Sequence, residues 1–236
     1  MTASNPLLQD FDLPPYSAIR PEHVEPAISQ ILADNRGAIA RLLESQPLET
    51  QHAAPGWAGL VLALDELNAR LGRAWGPVSH LNAVCNSSEI RAAYEACLPR
   101  LSEYFTEMGQ NKPLFEAYAA LAASPQAGGF DVAQKTILEH ALRDFRLSGI
   151  DLPVAEQQRY GAIQMKLSEL TSKFSNQLLD ATQAWSKHIS AEAALAGLSD
   201  SAKAQMQQAA QARQLEGWLI TMEFPRYYAV MTYADD

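Results

Sequence analysis

The stretch QQRYGAIQMKLSELTSKFSNQLLDATQAW, residues 157–185, decides the fold class. Tyr160, Ile163, Leu167, Leu170, Phe174, Leu178, Ala181 and Trp185 recur at intervals of 3, 4, 3, 4, 4, 3 and 4. The mean is close to the 3.6-residue helical repeat, so the apolar side chains stay on one face for many turns. The spacing predicts a single long amphipathic helix from about Val154 to Trp185. Its stripe is expected to be core packing, with a cofactor or partner groove as the alternative.

Upstream, SGIDLP closes another helix, with Gly149 as the left-handed stop and Pro153 beyond it. Asp131 caps that helix, and PQAGGF, residues 125–130, reads as the loop before it. A short helix is expected over Lys112 to Ala123. Before it, Ile90, Tyr94, Leu98, Leu101, Phe105 and Met108 mark a helix that Ser87 or Ser88 can cap, with Pro99 as an expected kink. Leu60, Leu64, Leu67, Leu71, Trp75, Val78 and Leu81 mark another, from about Trp57 to Val84, with a kink expected at Gly76-Pro77. The first helix runs from near Pro21 to about Ser45, with Pro26 in its first turn. Residues 1–20, with Pro6, Pro14 and Pro15, read as an extended arm whose apolar residues pack onto the body.

Downstream the character changes. WSKHISA and GWLITMEF, residues 217–224, suit strands that pair as a hairpin interrupted by a polar helix from about Ser199. The resulting fold class is mostly α: a multi-helix domain with long amphipathic helices and a short β element near the C-terminus. The expected division is the arm at 1–20, a helical domain at 21–190, and a strand–helix–strand junction at 191–236. PRYYAVMTYADD ends the chain among apolar and aromatic residues, where termini are normally polar. The natural chain is therefore expected to continue past Asp236, with Trp218, Phe224, Tyr227, Tyr228 and Tyr233 as the interface to its downstream part.

Composition narrows the function classes. Of 236 residues, 47% are hydrophobic and 19% charged, which suits a soluble globular protein. A formal net charge of −9, with no basic run, argues against a nucleic-acid partner. The N-terminus has no basic start followed by an apolar core, and no segment approaches the roughly 20 apolar residues of a membrane span. Cys85 and Cys97 both fall in helical apolar patterns and are expected to be buried free thiols in a reducing cytoplasm.

The residues offer little chemistry of their own. None of His23, His52, His80, His140 and His188 stands in HExxH, the spacing that puts two imidazoles on one helix face with a glutamate base between them. In RPEHVEPA, residues 20–27, His23 and Glu25 are two positions apart and diverge, so the stretch reads as a helix entry, with Glu22 and Glu25 near the positive end of the dipole. His140 and Asp144 share a face, which reads as a surface hydrogen bond or ion pair rather than half a metal site. His80 is expected to cap or hydrogen-bond near Pro77. No GxSxG, GxGxxG or GxxxxGK[ST] motif occurs, and neither cysteine has the neighbours of a nucleophile. No catalytic or metal-binding residue is expected in this chain, and no substrate-binding residue can be named.

Three long strings go further: RAWGPVSHLNAVCNSSEIRAAYEACLPRLSEY (73–104), EHALRDFRLSGIDLP (139–153) and the opening stretch at 157–185. With NPLLQDFDLPPYSAIRPEHVEPAI (5–28) and LEGWLITMEFPRYYAVMTYADD (215–236), they resemble the N-terminal region of the oligopeptidase A family of thimet-oligopeptidase-like zinc metallopeptidases. The resemblance covers essentially the whole chain. It implies a cytoplasmic endopeptidase for short peptides, mostly helical, with two lobes around a deep channel. It implies zinc held by HExxH and a later glutamate, leaving one coordination position for water. Those elements lie in the family's C-terminal half, so zinc is expected in the full-length parent and not on this chain. The chain is then expected to be inactive alone, to form one wall of the channel, and to have the missing catalytic domain as its partner. The alternative is a stand-alone helical module that binds peptides or proteins without catalysis.

Overall fold

In the computed structural model, residues 5–44 and 56–235 are described. They form two compact units, Met1–Glu169 and Leu170–Asp236. The order of helices is α1 (Pro21–Glu44), α2 (Ala63–Val84), α3 (Ser88–Gly109), α4 (Lys112–Ala123), α5 (Val132–Leu147), α6 (Val154–Ala184), α7 (Asp200–Ala212) and α8 (Phe224–Tyr233). The strands β1 (Ser186–Ile189) and β2 (Trp218–Thr221) make the one sheet among the described residues. The mostly helical class and the short β element near the C-terminus are as the sequence predicts.

The first unit is built on two apolar clusters. In one, Val24, Ala27, Ile28, Ile31 and Leu32 of α1 meet Leu71, Ala74 and Val78 of α2 and Ala93, Cys97, Leu101 and Tyr104 of α3. Each fully buried aliphatic side chain here is worth about 1.5–3 kcal/mol over its exposed state. The other cluster joins Ile39 of α1 and Leu64 of α2 to Leu114, Tyr118 and Leu121 of α4 and Leu138 and Phe145 of α5. Asn35 sits on α1 between the residues of these clusters and is fully buried. Its Nδ2 donates to the Leu67 carbonyl at 3.2 Å and to the Tyr104 hydroxyl at 3.4 Å.

Helix ends follow the chemistry of their caps. Ser87 Oγ accepts from the Ile90 N–H at 3.2 Å, and Asn111 Oδ1 accepts from the Leu114 N–H at 3.0 Å. Asp131 and Gln134 form a reciprocal capping box, each side chain accepting from the other's backbone N–H, at 2.8 and 3.1 Å. Gly149 closes α5 with φ +88°, a conformation that costs a side-chain-bearing residue about 1–2 kcal/mol.

Several local expectations need correction. The arm contains two 3₁₀ turns, Pro6–Leu8 and Tyr16–Ala18, rather than being extended throughout. Its Leu7 and Ile19 reach the core, while Leu13 is exposed. Residues Pro125–Gly129 form a 3₁₀ turn, and a five-residue π-helical turn, Ala58–Leu62, leads into α2. Cys97 is buried, but Cys85 lies just past the end of α2 and is exposed, because the helix stops at Val84.

The larger correction concerns α6. The helix has the expected extent, yet none of its residues is buried. Ile163, Leu167, Leu170, Phe174 and Leu178, with Trp185 just beyond the helix, are between 46% and 68% exposed. The half-buried positions are Gln157, Tyr160, Gly161, Gln164, Ser168, Ser172, Asn176, Leu179 and Thr182, mostly small or polar. At about 100° per residue, that side is rotated roughly a third of a turn from the apolar stripe. The stripe is therefore not core in this chain.

The second unit is a small hairpin-and-helix assembly. β1 and β2 pair antiparallel with Ser186 opposite Thr221 and Ile189 opposite Trp218, despite 28 intervening residues between them. Ile189, Leu195, Leu198 and Met206 form its core, with Trp218 and Val230 packed against it. The segment PRYYAVMTY, given no element from sequence, is helical as α8, with Glu223 as N-cap and Pro225 in its first turn.

Candidate functional site

Three of the four described histidines, His23, His80 and His188, are held by local structure. The Arg20 N–H donates to His23 Nδ1 at 3.1 Å, and Asn5 Nδ2 donates to the His23 carbonyl at 2.8 Å. His23 thus helps fasten the arm to the start of α1. Glu25 turns elsewhere, accepting from Arg100 of α3 at 3.0 Å. Glu22 lies in the first turn of α1, where a backbone hydrogen bond holds its carboxyl below the usual range. His80 does not cap near Pro77; its ring lies against Tyr16 with centroids 5.3 Å apart. Asp144 pairs with its neighbour Arg143 at 2.8 Å. His188 Nε2 is 2.6 Å from the Glu216 carbonyl, joining the two strand ends. His52 lies outside the described residues.

Among the described residues, no three His, Cys, Asp or Glu side chains converge where they could hold a metal ion. The described donor set therefore does not fit a zinc site. Burial pushes the Cys97 thiol up to about 11, the opposite of an activated nucleophile. No described helix is long and apolar enough to cross a membrane.

Two of the concavities in the first unit lie among its helices. One, of about 240 Å³, is lined mostly by apolar and aromatic residues, with Asn68, Asp144 and Ser148 among them. The other, about 520 Å³ and open, lies between α3 and the start of α6, with Glu103, Glu107, Gln110, Gln157 and Gln158 among its lining. Gln110 Nε2 donates across it to the Ser148 and Gln157 carbonyls at 3.0 and 3.4 Å. A Cβ at Gly161 would stand 3.4 Å from the Thr106 methyl, an ordinary contact.

The aromatic residues expected at an interface are placed on β2 and α8. Phe224, Tyr227, Tyr228 and Tyr233 are between 41% and 71% exposed, while Trp218 is half-buried. Phe224 and Tyr228 stack with centroids 5.5 Å apart, a consequence of their i, i+4 spacing on a helix that the sequence does not predict. The start of α8 is tied down by Arg226, which donates to Thr221 Oγ1 at 2.9 Å and pairs with Glu223.

Comparison with known proteins gives one consistent answer. The family model described as the neurolysin/thimet oligopeptidase N-terminal domain matches residues 30–158. The chain is 50% identical to oligopeptidase A of Haemophilus influenzae over 236 residues, all of this chain and 34% of that protein. It is 48% identical to oligopeptidase A of Salmonella typhimurium over 234 residues, 99% of this chain and 33% of that protein. Against oligopeptidase A of Escherichia coli the identity is 47% over 233 residues, again 99% of this chain and 33% of that protein. The chain thus spans about a third of the length of the curated relatives it matches, and the matched part is their N-terminal third.

Proposed function

The chain belongs to the neurolysin/thimet oligopeptidase N-terminal domain family, and from that premise we propose that it is the non-catalytic N-terminal part of a zinc-dependent, cytoplasmic oligopeptidase that hydrolyses short peptides. The observation that carries this reading is the near-half identity to proteins named oligopeptidase A along the entire chain, confined to a third of their length. On this reading zinc belongs to the full-length parent, with its ligands supplied by the polypeptide beyond this chain. This chain's own contribution is shape. Its helices form one wall of a channel that admits extended peptides and excludes folded proteins, with residues 1–20 as an arm, 21–190 as the wall and 191–236 as the junction. Trp218, Phe224, Tyr227, Tyr228 and Tyr233 are the contacts of that junction with the catalytic domain.

The test is to read the coding sequence past Asp236. An HExxH motif in frame, followed by a later glutamate, is expected. A stop codon directly after Asp236 would leave a stand-alone helical binding module instead.

A further inference from the structure

An amphipathic helix that packs on a domain turns its apolar side inward. The helix α6 does the reverse: Gly161, Gln164, Ser168 and Ser172 lie on its half-buried side, and Leu167, Leu170, Phe174 and Leu178 face solvent. Within about 80° of arc, at 100° per residue, the apolar face from Ile163 to Trp185 runs unbroken. At about 1.5 Å per residue it is roughly 33 Å long. Charged residues stay off it, as with Lys166 and Glu169, which pair with each other at 2.8 Å. A contiguous apolar strip of this length is a surface that something covers.

We propose that the downstream two thirds of the parent polypeptide lies along this strip, making α6 a principal contact between the N-terminal part and the rest of the peptidase. The inference rests on the reading that the chain continues into a catalytic part. Two observations select that occupant over a second copy of this chain. The relatives carry about twice as much additional polypeptide, all of it following the matched third. The family match also ends at residue 158, four residues after Val154, so the exposed strip lies wholly beyond the N-terminal domain as the family defines it.

Hydroxyl-radical footprinting of the full-length protein tests this, with a synthetic peptide of residues 157–185 as the unprotected reference. If the strip is as open as its 46–68% exposure here, Leu167, Phe174, Leu178 and Trp185 will be oxidised only about twofold more slowly than in the peptide. The proposal expects protection of about tenfold or more, unchanged by dilution. Twofold protection with the downstream polypeptide present overturns the proposal and leaves the family reading intact. Protection that fades on dilution assigns the strip to a second copy and likewise overturns it. A reading frame that ends at Asp236 removes the premise and the proposal together.

Discussion

Cys85 and Cys97 follow similar apolar runs, yet their environments are opposite. Cys97 is enclosed between α1, α2 and α3 among Val24, Ile28 and their neighbours, while Cys85 caps the end of α2 in solvent. With its pKa raised to about 11 by burial, Cys97 is thiolate in only about one molecule in a thousand at pH 8. A disulfide-exchange reagent at that pH should therefore titrate one thiol per folded chain quickly, and Cys85→Ser should abolish the fast phase. Two fast thiols in the folded protein would contradict the packing of the first core. The sequence showed that both cysteines sit near helical apolar residues. It also ended α2 at Val84, as found, but apolar spacing does not tell that Cys85, one residue past that end, faces solvent while Cys97 is enclosed.

Elements with explicit punctuation were legible in the sequence, and those without it were not. Asp131, Gly149, Ser87 and Ser199 each mark a boundary through a specific hydrogen bond or backbone conformation, and α3, α5 and α7 start or stop where those residues predict. Replacing Asp131 with Ala removes one half of a capping box and should lower stability by about 1 kcal/mol, measured by urea denaturation. An unchanged midpoint would mean that α5 is held by packing alone. The helix α8 escaped notice because Tyr, Val and Thr are weak helix formers. Its signals were Pro225 in the first turn and the i, i+4 pair Phe224 and Tyr228. The case of α6 is different. Periodicity identified the helix and the face correctly, but a 3.6-residue repeat specifies only which side is apolar, not which molecule or segment covers it.

At the scale of the whole molecule, the apolar surface left open on α6 and α8 fits the proposed reading, in which the rest of a longer polypeptide covers it. Composition and short motifs alone point to a helical domain without recognisable chemistry. Only long strings, such as residues 73–104 and 157–185, carry the family, because a wall of packed helices has no short motif of its own. The candidate interface was visible in part: the aromatic residues near the C-terminus were legible as apolar where polarity is normal, whereas the strip on α6 looked like core until its exposure was known.

The most direct measurement is peptide hydrolysis by the purified 236-residue chain beside its full-length parent, each with and without added zinc. The expected result is turnover of a short peptide by the parent, lost on chelation and restored by zinc, and no turnover by the 236-residue chain under any condition. Zinc-dependent, chelator-sensitive hydrolysis by the chain alone would contradict the assignment of all catalytic groups to the downstream polypeptide.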